Sequence, residues 1–459
     1  MNKTQYIKKT IIRSSLEKAF AWHANTGAIA RLTPPWAPLK MISKTGTGIK
    51  KGVKVKFKIK IFTIPMIWES EHVGYEKNRF FKDRQIRGPF TKWVHTHKFI
   101  PDGNNRFIME DHIEFKLPFG ILSYPFYKFA KKEFKRMFDY RHRILKYDLE
   151  HNINGSKTKT ILISGASGTI GSALVPLLQT MGHKVLRLVR KKENLLEDEI
   201  FWDPYKGVLD LNYENTGKIH AVINFNGVDI SKGPWTKKQK KKIIDSRVIP
   251  TRLLANKIKN LDPAPKVFIS SSAIGFYGTR DEEILNEDNS QGDCFISEVC
   301  NRWEKAACDA EKPGIRIVHL RTGVVLTPAG GALSKMALPF RLGLGVVLSH
   351  GRQYMSWISL EDAISGIVHI LDNDKIKGSV NLTAPNPVTN REFSQTLARV
   401  FKKKVYFKMP KFLVSLIWGE MGRETLLSSA RVIPEKLTNT GFAFRHKNLL
   451  DALKHMLGR

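Results

Sequence analysis

At 459 residues with 42% apolar side chains, the chain is too long for one core and too apolar for a disordered one, so two or three globular domains are expected. The longest apolar run, FLVSLIW (residues 412–418), falls far short of the roughly 20 residues of a membrane span, and the charged N-terminus has no apolar segment of a secretory signal. The net charge of +34 attracts polyanions, but no nucleic-acid-reading motif accompanies it, and nucleic acid is not an expected partner.

The charge is uneven. Residues 1–150 hold 31 Lys and Arg against 13 Asp and Glu, the remaining residues 45 against 29. The three cysteines, Cys294, Cys300 and Cys308, lack metal-ligand spacing and read as thiols of a reducing compartment, which predicts a cytoplasmic protein.

In chain order, SLEKAFAWHAN (residues 15–25) predicts a short helix with Ser15 at its N-cap. VKVKFKIKI (residues 53–61) alternates apolar residues with lysine, the period-two pattern of a strand with one wet face. RFFKDRQI, KWVHTHKFI and RFIMEDHIEFKL follow at short intervals and predict an antiparallel meander. Residues 123–149 form a long amphipathic helix. Trp93, His95, His97 and Phe99 share one strand face. Two histidines two apart, with His72 upstream, are a candidate metal pair. No carboxylate accompanies them at ligand spacing, however, and histidines making internal hydrogen bonds are commoner, so no metal is expected.

FAWHANTGAIARLTPPW (residues 20–36), GPFTKWVHTHKF (88–99) and MFDYRH (137–142) resemble the helix-grip domains of the polyketide cyclase and START-like (SRPBCC) superfamily that precede reductase-like modules. The resemblance covers most of residues 5–150. It implies an α+β domain at 1–150 whose sheet curls around its terminal helix and encloses a small, apolar ligand. A linker is placed at 151–158, where YDLEHNINGSKTKT (147–160) loses hydrophobic periodicity.

Past the linker, KTILIS (159–164) is an apolar strand, GASGTIG (165–171) a glycine turn, and KVLRLV (184–189) a second strand beyond an apolar helix. That order puts Gly165, Gly168 and Gly171 where the chain turns tightly against a pyrophosphate. Ser167, Thr169 and Ile170 then meet the phosphates at the helix start. An NAD site holds an acid at the end of the second strand; here Arg190, Lys191 and Lys192 follow it. Arg190 is therefore assigned to a 2′-phosphate, and NADP(H) is the expected cofactor. An exposed basic turn in a basic protein is the competing reading.

HAVINFNGVDI (220–230), KVFISSSAIGFYG (266–278) and GIRIVHLRTGVVL (314–326) complete a pattern that resembles the extended short-chain dehydrogenases/reductases (SDRs), α/β Rossmann-type proteins with a doubly wound parallel sheet. The resemblance implies that Asn224, Gly227 and Thr322 approach the cofactor and that Ser272 polarises a substrate carbonyl. FWDP (201–204), DSRVIPT (245–251), GGALSKM (330–336), GRQYMSWISLED (351–362), NLTAPNPVTN (381–390) and RVIPEKL (431–437) are more narrowly similar to an atypical epimerase-like subgroup, over residues 159–455. The subgroup implies an NADP(H)-binding domain at 159–403 and a small C-terminal cap at 404–459. Its substrate cleft would hold Arg247, Arg352, Gln353 and Trp357, where Trp357 equally reads as packing and Arg247 as a partner of Asp245.

SDR catalysis normally rests on Tyr-x-x-x-Lys in the helix after the fifth strand. In CFISEVCNRWEKAA (294–307) the two registers offer Phe295 with Val299, or Ile296 with Cys300. Neither supplies that pair. Tyr277 reads either as packing at a strand end or as a substitute donor, if its hydroxyl faces the nicotinamide. The expected function is an NADP(H)-binding SDR-type oxidoreductase of unknown substrate, with a non-catalytic NADP(H)-binding sensor as the alternative.

Overall fold

The computed structural model describes residues 4–37, 39–61, 64–152, 157–211 and 213–459. Of the expected linker, residues 153–156 lie outside the described residues. Backbone contacts divide the chain into two units. One is Met1–Thr158 with Val175–His183 and Gly458–Arg459, and the other is Lys159–Leu174 with Lys184–Leu457.

The alternating segments of the first unit become strands β1 (Thr4–Ile12), β2 (Lys40–Lys44), β3 (Lys54–Ile61), β4 (Ile64–Glu76), β5 (Phe80–Arg87), β6 (Lys92–Pro101) and β7 (Phe107–Lys116). They form one antiparallel sheet in the order β1-β7-β6-β5-β4-β3-β2. The first strand was not anticipated from the sequence, although its residues alternate between half-buried and exposed as a one-sided strand requires. Helix α1 (Leu16–Ala24) starts where expected, with the Ser15 hydroxyl accepting the Lys18 N–H at 3.3 Å; α2 (Ala28–Arg31) is one short turn. The long helix α3 (Tyr124–Tyr147) lays Phe134 and Phe138 among Trp93, Ile113 and Phe115 of the sheet. Phe20, Trp22, Phe81, Phe99, Phe107 and Leu145 build a second cluster beside it. Just past α3, Asp148 takes a two-pronged hydrogen bond from buried Arg31 at 2.8 and 2.9 Å.

The second unit has β8 (Thr160–Ser164), β9 (Lys184–Val189), β10 (Glu199–Asp203), β11 (Val208–Leu209), β12 (Ala221–Asn224) and β13 (Val267–Ala273), then β14 (Ile284–Leu285) and β15 (Arg316–Thr322). Three short strands follow, β16 (Val324–Leu326), β17 (Val346–Leu348) and β18 (Tyr354–Met355), then β19 (Trp357–Ser359) and β20 (Gly378–Leu382). The main sheet runs β11-β10-β9-β8-β12-β13-β15-β20 and is parallel apart from β11. β12 is buried throughout, and β8 and β13 at all but one residue, because helices cover both faces of the sheet; this is why these segments read as unbroken apolar runs. The helices are α4 (Gly171–Thr180), which continues through Pro176, α5 (Tyr213–Thr216), α6 (Lys237–Lys259), α7 (Phe295–Cys308), α8 (Gly331–Leu342), α9 (Leu360–Asp372), α10 (Asn390–Val400) and α11 (Lys411–Met421). Chain order reverses between β8 and β12, which opens a crevice at their C-terminal ends where ligands bind in such sheets. No described helix is long and apolar enough to cross a membrane.

Candidate functional site

β8 ends at Ser164 and the chain turns at once through Gly165 (φ 72°). A Cβ there would lie 2.6 Å from the Phe225 carbonyl oxygen, and one on Gly171 would lie 2.5 Å from that of Gly165. Only glycine fits either position. The Gly168 N–H bonds back to Gly165, while Ser172 and Leu174 donate to Gly168 and Ile170. Among the described residues, the N–H groups of Thr169, Ile170 and Gly171 are left without a backbone acceptor, and Ser167 and Gly168 stand exposed at the rim. Three free donors on the positive end of α4 fit a pyrophosphate.

Arg190 follows the last residue of β9 and is exposed. Two of its basic neighbours are committed: Arg187 donates to Asp198 at 2.8 and 2.5 Å, and Lys191 pairs with Glu199 at 2.6 Å, while Lys192 is exposed like Arg190. Among the described residues, Arg190 has no carboxylate partner, so its guanidinium is available beside the glycine turn.

Asn224 sits at the end of β12, but its side chain is turned into the fold. It accepts from the Ser164 hydroxyl at 2.8 Å and donates to Thr251 (2.8 Å) and Ser270 (3.1 Å), tying β8, β12, β13 and α6 together. Gly227 leaves room for Arg247, whose Cζ would be 3.1 Å from a Cβ at that position. Arg247 does not pair with Asp245, which Lys241 takes at 2.5 Å. It donates instead to the carbonyls of Ile243 (3.0 Å) and Val228 (3.1 Å) and stands 5.1 Å over the Trp303 ring. Thr322 ends β15 in register with Ala273 of β13.

At the end of β13 the polar groups close on one another. Ser272 donates to Glu304 of α7 at 2.6 Å, and Glu304 holds Arg321 of β15 through two 3.0 Å bonds. Arg321 reaches the Tyr277 hydroxyl at 3.1 Å, and Tyr277 donates to Asn381 of β20 at 2.7 Å. Tyr277 is wholly buried among Phe276, Leu285, Cys300 and Val432. Burial pushes its phenol above its ordinary range, against the opposing pull of Arg321.

The register of α7 is set by Gly275, where a Cβ would lie 3.0 Å from Ile296 and 3.8 Å from the Cys300 sulfur. Ile296 and Cys300 therefore face the end of β13. Phe295 packs edge-on against Trp235, with ring centroids 5.2 Å apart, in a cluster that holds Val299 and also takes in Ile296. Burial, with Glu304 close by, pushes the Cys300 thiol up to about 12, so it holds its proton.

A cavity of about 200 Å³ is lined by Thr279, His350, Gln353, Lys411, Arg423 and Leu427, with Ser349. Gln353 is 3% exposed; its amide nitrogen donates to Leu348 O at 3.1 Å, while its Oε1 is buried without a donor among the described residues. A ligand with anionic oxygens for Lys411 and Arg423 and one N–H or O–H for Gln353 suits this lining. Of the residues assigned to the cleft from the sequence, only Gln353 lines the cavity. Arg352 is exposed beside it, and Trp357 is wholly buried, donating to Asn386 O at 3.1 Å. Thr279, His350, Lys411 and Arg423 were not foreseen, since they come from four separate stretches and share no local pattern.

A doubly wound α/β sheet, with a glycine turn opening the helix at its switch point, defines a dinucleotide-binding protein of the Rossmann class. Residues 161–383 match the profile of the NAD dependent epimerase/dehydratase family, and residues 409–456 that of a domain of unknown function, DUF1731. An epimerase family protein of Mycobacterium bovis, Mb2239, is 38% identical over 299 residues, which are 65% of this chain and 98% of that protein. The chain thus belongs to this epimerase family. Among solved structures, the nucleoside-diphosphate sugar epimerase from Corynebacterium glutamicum superposes with a TM-score of 0.80 at 29% identity, over 99% of this chain and 90% of that one, so the likeness includes the first unit. Human SDR39U1, solved with NADPH, gives a TM-score of 0.59 at 31% identity over 65% of this chain and 98% of that one.

Proposed function

We propose that the chain is an NADP(H)-dependent oxidoreductase of the epimerase-like SDR type that works without the Tyr-x-x-x-Lys pair. The observation that carries this reading is Arg190, an exposed cation with no carboxylate partner among the described residues, next to a turn with three free N–H donors. The NADPH bound by human SDR39U1 supports the same cofactor here. In the proposal, Thr169, Ile170 and Gly171 hold the pyrophosphate, Arg190 the 2′-phosphate, and Thr322 borders the nicotinamide. The bound cofactor would supply or accept a hydride. Ser272 would orient a carbonyl at the end of β13, and Lys411, Arg423 and Gln353 would hold the polar remainder of the substrate. Residues 159–403 would form the cofactor domain and 404–459 its cap. Residues 1–150 would be a helix-grip domain joined through 151–158 and holding a small ligand of largely apolar body.

A second reading, a non-catalytic NADP(H) sensor, is favoured by one observation. Ser272 and Tyr277 both spend their hydroxyl protons inside the buried network, so neither is poised to protonate a substrate.

Calorimetric titration with NADPH and NADH tests the shared part. Tight NADPH and weak NADH binding is expected, and Arg190→Asp should weaken NADPH by about 10–100-fold, the worth of a charge-assisted hydrogen bond, with little effect on NADH. Equal losses for both would refute the role of Arg190. NADPH oxidation across a panel of aldehydes and ketones then separates enzyme from sensor.

A further inference from the structure

The first unit holds a cluster of titratable side chains with no part in the function above. On β6, His95 and His97 point to the inner face of the antiparallel sheet. Strand pairing sets Asp83 of β5 directly opposite His95, and Asp111 of β7 directly opposite His97. The two imidazoles therefore lie between two carboxylates. Asp83 Oδ2 is 3.6 Å from His95 Nδ1 and 3.7 Å from His97 Nε2. The opposite ring nitrogens, His95 Nε2 and His97 Nδ1, lie 2.9 and 2.7 Å from Asp111 Oδ1.

From this arrangement we infer that Asp83, His95 and His97 form a binding site for one divalent first-row transition-metal ion, of the zinc or iron(II) kind. One ligand atom from each of the three residues lies within 4.8 Å of the others. The 3.6 and 3.7 Å gaps on the Asp83 side are long for hydrogen bonds. They are close to the spacing of about 3.3 Å between ligands that share a tetrahedral ion with bonds of ~2.0–2.1 Å. Two imidazole nitrogens with one carboxylate oxygen select borderline transition metals over calcium or magnesium.

Asp111 has the part of the outer carboxylate, which receives the far nitrogen of a metal-bound histidine and fixes its ring. It is itself anchored from α3, where His142 Nε2 lies 2.7 Å from its Oδ2 and His142 Nδ1 lies 2.8 Å from the Thr10 hydroxyl. His72, opposite Asp83 on β4, leaves its Nδ1 buried without a hydrogen-bond partner among the described residues, a third imidazole on the same sheet. Arg141 of α3 is buried near both carboxylates, which raise its affinity for its proton against the cost of burial. The donor set is inside the sheet, with side-chain exposures of 14% for Asp83, 6% for His95 and 12% for His97, which keeps water from competing for the ion.

The test uses the full chain, stripped with a chelator and titrated with Co²⁺ and, separately, Zn²⁺. The expected result is one equivalent of Co²⁺, with visible d–d absorption and no near-ultraviolet thiolate charge-transfer band. Asp111→Asn should weaken binding by about 10–100-fold, and the double variant His95→Gln/His97→Gln should abolish it. Absence of a stoichiometric equivalent in the wild-type chain overturns the proposal. So does unchanged binding by the double variant, or a thiolate band, which would move the ion to the cysteines of the second unit. If the double variant does not fold, the wild-type stoichiometry and spectrum decide the matter by themselves.

Discussion

Glu304 is the hinge of the buried polar network in the second unit. It is 9% exposed and accepts from Ser272 and twice from Arg321. Replacing it with Gln leaves the Arg321 guanidinium buried without a counter-charge, a change that costs about 3–5 kcal/mol in comparable settings. Tyr277→Phe removes one hydroxyl from the same network and leaves Asn381 Oδ1 short of a donor, at about 1–3 kcal/mol. Urea unfolding of the two variants should rank them in that order, and a Glu304→Gln chain as stable as the parent would mean the network is cosmetic. Ser272 and Tyr277 were visible in the sequence, yet their partners lie 32 and 104 residues away. Roles that depend on such partners cannot be read from a motif. The same holds in the first unit. His95 and His97 stood out as a pair, while Asp83 and Asp111 become their neighbours only through strand register, which local spacing in the sequence does not show.

Among the elements, the segments read most directly were those whose burial imposes one pattern. β8, β12 and β13 are covered on both faces and appear as apolar runs, and β3 alternates because one face is wet. β1 escaped notice because an edge strand of lysines and isoleucines has no turn signal before it. The helix α7 was legible as a helix but not in its register, since both Phe295–Val299 and Ile296–Cys300 fit an amphipathic face. Packing against Gly275 decides for the second. This yields a chemical prediction. Cys300 is 1% exposed with its thiol pushed up to about 12, and only thiolate reacts with iodoacetamide. At pH 8 the native chain should be alkylated at Cys294, more slowly at the accessible Cys308, whose thiol is also pushed up by burial and nearby carboxylates, and not at Cys300, and unfolding in urea should expose all three. Peptide mass mapping reads the result; early labelling of Cys300 would mean that α7 opens readily or is set in the other register.

At the scale of the whole molecule, each unit has its own apolar core. Phe20, Trp22, Phe99, Phe134 and Phe138 stabilise the first unit, and Leu162, Val222, Leu254, Phe268 and Ala307 the second. Two cores with two proposed ligands make a linkage argument possible. A ligand that binds only the folded form stabilises what it binds, by about 2.7 kcal/mol at a hundredfold excess over its dissociation constant. Scanning calorimetry of the chelator-treated chain should therefore show two transitions. NADPH should raise only the one that Glu304→Gln lowers, and Zn²⁺ should raise the other in the parent chain but not in His95→Gln/His97→Gln. If both ligands move a single transition together, the cores unfold as one cooperative body. Two independent transitions mean that the fused units share a chain without sharing stability, and the function of each can be tested through its own ligand.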